Sequence, residues 1–214
     1  LKNNVSVVGY DINKHSDTIE DVKKSDIIWI CVDTPSQDDS DDYSIQNLKL
    51  ALSTFAQKEK TVIIGCTVSP GTTRQLHKQY DCNLIYMPFL ISQGDIENGL
   101  INPDCWFIGG SPCNKLYTLL SSFSKGKINV GTWEEAELAK VLYNSWIIQK
   151  INFANWANDL AYKIGNANAN TIMDWLKDSN KLITSSAYMS PGWGDGGPCH
   201  PRDNLMMSWL TNKH

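Results

Sequence analysis

The stretch Ile27-Ile28-Trp29-Ile30-Cys31-Val32-Asp33-Thr34-Pro35 decides the fold. Six apolar residues run without alternation, and then an acid, a hydroxyl and a proline follow at once. A strand with polar residues on neither face is covered on both, as in a parallel sheet between helical layers. The same pattern recurs on either side. Val5 to Tyr10 reads as a buried strand with Asp11 at its carboxyl end, and Thr61 to Cys66 as another, followed by Thr67. Leu84 to Tyr86, Cys105 to Ile108 and Ile128 to Val130 are shorter strands.

Helical spacing fills the gaps. Thr18 to Lys24 forms one short helix, and Ile45 to Gln57 carries Ile45, Leu48, Leu52 and Phe55 on one face. Ser69 as N-cap and Pro70 at the first position open a third helix. Ser111-Pro112 starts a fourth that runs through Phe123. The acidic segment from Gln37 to Tyr43 reads as a solvated connection. Strands alternating with helices indicate an α/β fold with an incomplete Rossmann-type parallel sheet. In such sheets ligands lie at the carboxyl ends of the strands. The candidate site therefore includes Asp11, Val32, Thr34, Pro35, Cys66 and Thr67. An acid placed like Asp11 typically holds the ribose hydroxyls of a dinucleotide. Taken alone, Asp11 reads as an ordinary loop acid.

Character changes at Thr132. Thr132-Trp133-Glu134-Glu135 is a capping box, and neither Gly nor Pro interrupts the chain until Gly165. One long helix results, with apolar residues on more than one face, so it packs within a core or against another subunit. A helical layer over 132–214 thus follows a sheet domain over 1–131. Lys140 and Asn144 share a face at i, i+4. Burial lowers a lysine's pKa and suits it to acid–base work, although alone the pair reads as a solvent-facing Lys and an unrelated Asn. Asn168 to Asp178 forms a second helix. Ser190 to Asp203 then sets Cys199 among four glycines and three prolines. That composition forbids helix or strand interior and predicts a shaped loop. His200 and Arg202 supply a positive field that favours a nucleophilic thiolate.

Composition narrows the classes. A net charge of −4 over 214 residues gives no basic patch, so nucleic acid is not an expected partner. No apolar run is long enough for a membrane span. Six scattered cysteines without a C-x-x-C pair argue against zinc and against a disulfide framework, and fit a reducing cytoplasm. No metal is expected.

Together these segments resemble the UDP-glucose/GDP-mannose dehydrogenase family. The matching pieces, in order, are Val8-Gly9-Tyr10-Asp11-Ile12, Ile30 to Pro35, Thr67-Val68-Ser69-Pro70-Gly71-Thr72-Thr73, Tyr86-Met87-Pro88 with Gly94, Glu137-Leu138-Ala139-Lys140 with Asn144, and Gly194 to Asp203. The resemblance implies NAD-dependent oxidation of the C6 alcohol of a nucleotide sugar, UDP-glucose-like, to the uronate. It implies that Cys199 forms a thiohemiacetal and then a thioester. Lys140 and Asn144 would stabilise oxyanions or handle the proton, Asp203 would assist water, and Thr67 would position one. Asp11 would hold the adenosine ribose, with Thr34 and Pro35 lining the dinucleotide. A homodimer through the long helix and a role in polysaccharide biosynthesis are expected.

Four departures stand against the pattern. The family opens with a strand and a glycine turn for the pyrophosphate, and neither stands ahead of Val5. The family runs to about twice this length, with a third domain for the substrate nucleotide. Where relatives carry two glutamates, the first of them the expected base for thioester hydrolysis, this chain has Phe89 and Gln93. Arg202 replaces a common Lys. Two other readings stay open: a β-hydroxyacid dehydrogenase, which has no need of a cysteine loop, and a non-catalytic remnant that only dimerises.

Overall fold

The structure, a computed structural model, describes residues 5–14, 17–37, 40–91, 94–191 and 199–213. It divides into two compact units, 1–144 and 145–214.

The first unit begins with α1 (Ile19–Lys23), closed by a capping box between Thr18 and Asp21. β1 (Ile27–Ile30) follows, then a small hairpin of β2 (Ser36–Gln37) and β3 (Ser40–Tyr43). Next come α2 (Gln46–Phe55), β4 (Thr61–Ile64), α3 (Thr72–His77) and β5 (Asn83–Tyr86). The unit continues through α4 (Ile96–Ile101), β6 (Cys105–Gly109), α5 (Asn114–Phe123) and β7 (Lys127–Gly131) into α6 (Trp133–Ile164). The sheet order is β1-β4-β5-β6-β7.

Strand periodicity sorts the core into two layers. Ile28, Ile30, Val62, Ile64, Leu84 and Tyr86 face one side, under Leu48, Leu52 and Phe55 of α2 and Leu76 of α3. Ile63, Ile85, Trp106 and Ile108 face the other, under Leu116 and Leu120 of α5. A sheet buried on both faces is what the unbroken apolar runs require.

Five expectations need correction. The sheet is mixed, because β5 and β6 pair antiparallel at Tyr86 and Gly109. A parallel neighbour needs a crossover helix packed on the sheet, and α4, between them, buries no residue. Val5–Tyr10 forms no strand, and Val5 and Val7 are exposed. A strand exists only by pairing, and β1 pairs with β4 alone among the described residues. Ser69 does not cap α3; Gly71 stands at the cap with φ of 92°, and Ser69 Oγ donates to Asp42 instead. α5 starts at Asn114, after Cys113, rather than at Ser111. Cys199 to Asp203 are helical, the first turn of α8 (Cys199–Lys213), where Pro201 is tolerated because early N–H groups have no helical partner. The glycine-rich part of that segment, 192–198, lies outside the described residues.

α6 meets the sheet at Gly109-Gly110. A Cβ on Gly109 would stand 2.7 Å from Trp133 Cα, and one on Gly110 2.5 Å from the Trp133 indole nitrogen. Two glycines therefore let the start of α6 lie against β6. Thr132 and Glu135 cap it reciprocally, as the sequence predicts: Glu135 N–H donates to Thr132 Oγ1 at 3.2 Å, and Thr132 N–H to Glu135 Oε2 at 2.7 Å.

The second unit holds the rest of α6, α7 (Ala169–Asp178) and α8. Gly165, at φ of 72°, ends α6, and Asn168 Oδ1 caps α7 by accepting from Thr171 N–H. Trp146, Ile147, Ile148, Ile151 and Phe153 of α6 are exposed in the single chain.

Candidate functional site

The site is built in the first unit where the carboxyl ends of β1, β4 and β5 meet α3 and α6. Thr34, beyond β1, donates through Oγ1 to the carbonyl of Thr67, beyond β4, at 2.6 Å. Two segments expected to line the site are thereby tied together. Cys66, one residue earlier, is buried, and burial pushes its thiol up to about 12. It is a packing sulfur beside the site rather than a nucleophile.

Lys140 lies on the second turn of α6. Its Nζ donates to the carbonyl of Phe89 at 2.9 Å, and its ammonium stands 5.9 Å from the Tyr143 ring centre. Burial holds its pKa below the ordinary lysine value. This removes the reading of Lys140 as a solvent-facing residue. Asn144, one turn on, is exposed. Phe89 stacks on Trp29 with centroids 4.9 Å apart and planes 15° from parallel. The Phe89 side chain thus packs on an indole, while its carbonyl holds the lysine.

Glu137, one turn before Lys140, is fully buried. Gly71 N–H donates to its Oε2 at 2.6 Å, and Thr73 N–H to its Oε1 at 2.7 Å. A carboxylate of α6 therefore serves as the cap that α3 lacks locally. Desolvation raises its pKa while the two amides oppose the rise. Arg74 and Glu134 add an exposed ion pair between the same helices, with the guanidinium 5.2 Å from the Trp133 ring centre and the His77 ring tilted against that indole at 4.9 Å. In the sequence Glu137 stands out only as part of the Glu137-Leu138-Ala139-Lys140 motif. The available signal was a glutamate on the face of Lys140 amid apolar neighbours.

Asp11 lines an open surface groove with Tyr10, Ile12, Lys14, Asp17, Thr18 and Glu20. Its Oδ1 accepts from Asn13 N–H at 2.8 Å. An acid lining that groove suits ribose hydroxyls, so the residues present fit the adenosine end of a dinucleotide.

Cys199 and Asp203 belong to the second unit. Cys199 is exposed at the first residue of α8. Arg202 Nε donates to Asp203 Oδ1 at 2.8 Å, so each is engaged by its neighbour. The pairing holds the Asp203 carboxyl below its ordinary range. His200 meets Tyr188 edge to face at 6.1 Å. Gln93 lies outside the described residues. Among the described residues no group of three or more ligating side chains could hold a metal, and no helix is long and apolar enough to cross a membrane.

Known proteins resemble the chain over most of its length. The chain is similar to the UDP-N-acetyl-D-mannosamine dehydrogenase of Pyrococcus horikoshii, 29% identical over 210 residues, covering 91% of this chain and 48% of that protein. It is similar to the GDP-mannose 6-dehydrogenase of Pseudomonas aeruginosa, 29% identical over 221 residues, with 90% and 48% covered. The fold matches a crystal structure of GDP-mannose dehydrogenase from Pseudomonas aeruginosa with a TM-score of 0.81 at 24% identity, over 91% of this chain and 49% of that one. The chain thus spans about half the length of the curated relatives it matches. Residues 3–123 match the NAD binding domain of one family and residues 134–214 its central domain, the two in the order that places Asp11 and Thr67 before Lys140 and Cys199. On that match the chain belongs to the UDP-glucose/GDP-mannose dehydrogenase family.

Proposed function

We propose that this chain carries the catalytic half of an NAD-dependent nucleotide-sugar 6-dehydrogenase, oxidising a C6 alcohol to a carboxylate. The observation that carries the reading is Lys140, a half-buried ammonium fixed by the Phe89 carbonyl at 2.9 Å. A cation held in a low-dielectric site stabilises a developing oxyanion far better than one in water. Asp11, Val32, Thr34, Pro35, Cys66 and Thr67 hold or line NAD over 1–131, and 132–214 supplies the helical domain. NAD, when bound, accepts the hydride.

The residues then act in sequence. The alcohol proton leaves as a hydride departs from C6, giving an aldehyde, with Lys140 and Asn144 holding the oxygen. The Cys199 sulfur adds to that aldehyde and forms a thiohemiacetal. Loss of its proton and a second hydride gives a thioester. Water positioned by Thr67 and assisted by Asp203 cleaves the carbon–sulfur bond, releasing carboxylate and free thiol. Overall, one alcohol, one water and two NAD give one carboxylate, two NADH and three protons. Phe89 contributes no carboxylate, so the water step rests on Asp203.

The substrate is a nucleotide sugar of the UDP-glucose or GDP-mannose kind, consumed for polysaccharide synthesis in the cytoplasm. The exposed apolar residues of α6 support a homodimer. Incubation with NAD and each of UDP-glucose, GDP-mannose and UDP-N-acetylmannosamine tests the reading by NADH formation. A second reading, a non-catalytic partner subunit, is favoured by Phe89 stacked on Trp29 in place of an acid. Absence of turnover with all three sugars, alongside a dimer in solution, would select it.

A further inference from the structure

Glu137 stands at the junction of three things the site needs, and none of the matched motifs gives it a task. It is fully buried. A buried carboxylate is costly unless its oxygens are hydrogen-bonded, and here both are, by Gly71 N–H at 2.6 Å and Thr73 N–H at 2.7 Å. Those amides belong to the start of α3, which has no side-chain cap of its own. Four residues before Gly71 is Thr67, whose carbonyl is held by Thr34 Oγ1. Three residues after Glu137, on the same face of α6, is Lys140, held by the Phe89 carbonyl. Arg74 with Glu134 and Trp133, and His77 with Trp133, tie the same two helices, α3 and α6, beside Glu137.

We propose that Glu137 is a positioning residue: its carboxylate, shared between the Gly71 and Thr73 amides, fixes the Thr67 segment and Lys140 in one frame. The chemistry requires a carboxylate and not merely a polar side chain. Both partners are donors, so both side-chain atoms must accept, and a glutamine turns its amine onto one of the two N–H groups. A rigid link matters because misplacing a reacting group by about 1 Å costs about a hundredfold in rate. The kinetic part of the test rests on the dehydrogenase reading; the structural part does not.

The experiment compares the unaltered chain with Glu137→Gln, Glu137→Asp and Arg74→Met. Each is checked for folding by circular dichroism, then treated briefly with acetic anhydride, and acetylation of Lys140 is measured by peptide mass spectrometry against exposed Lys115. In Glu137→Gln, Lys140 acetylation rises about fivefold, the factor for losing the net free energy of one hydrogen bond. Arg74→Met, which breaks the Glu134 pair and the contact with Trp133 but keeps both Glu137 hydrogen bonds, leaves it unchanged. In turnover, kcat falls about tenfold to a hundredfold. Unchanged Lys140 acetylation in folded Glu137→Gln overturns the proposal. Should that variant not fold, Glu137→Asp, whose shorter carboxylate reaches only one amide, must show the rise. Unfolding of both assigns Glu137 to stability alone and also overturns it. If the unaltered chain shows no turnover, the dehydrogenase reading fails and the acetylation result decides Glu137 by itself.

Discussion

Replacing Cys199 by Ala removes the only sulfur that the proposed reaction uses. The variant is expected to produce no carboxylate, measured by mass spectrometry of the nucleotide product, while NAD binding persists. Lys140→Met is expected to lower kcat by about a hundredfold to a thousandfold, the range for deleting one oxyanion stabiliser, measured by initial rates of NADH formation. The two residues were legible in different degrees. Lys140 alone reads as solvent-facing and gains a role only from the resemblance, and the structure supplies the Phe89 carbonyl as its partner. Glu137 gains no role, because Glu134 and Glu135 precede it and acids in a first helical turn are ordinary dipole partners. Only the fold brings the Gly71 and Thr73 amides to it.

Elements were legible where burial alone decides them. β4, β5 and β6 follow from apolar runs, and α6 from its capping box and the lack of any breaker. Elements that depend on a neighbour were not. Val5–Tyr10 has strand composition and no paired strand, and the antiparallel β5–β6 pairing follows from a connection that buries nothing. Two tests belong to this scale. Gly110→Ala forces a Cβ to 2.5 Å from the Trp133 indole at φ of 106°. It is expected to lower stability by about 1–3 kcal/mol in urea unfolding, the cost of overpacking with a strained backbone. Arg74 holds Glu134 down to about 2 from a model-compound value of 4.5. A depressed carboxylate adds stability above its unfolded pKa and loses it as pH falls through the folded one. Stability therefore drops between about pH 4.5 and 2, and Glu134→Gln flattens that limb. High salt flattens it too, since the pair is exposed.

For the molecule as a whole, the exposed Trp146, Ile147, Ile148, Ile151 and Phe153 predict self-association. Light scattering at micromolar protein is expected to give twice the chain mass, and Trp146→Glu with Ile147→Glu to give one. Membership of the family establishes lineage, while the chain spans about half of its curated relatives. The stoichiometry of NADH formed per nucleotide sugar consumed is the most direct measurement, with excess NAD and each sugar in turn. Two NADH per sugar, with carboxylate as product, is the predicted result. One NADH per sugar would contradict the thioester route through Cys199, and none with any sugar would contradict the dehydrogenase reading itself.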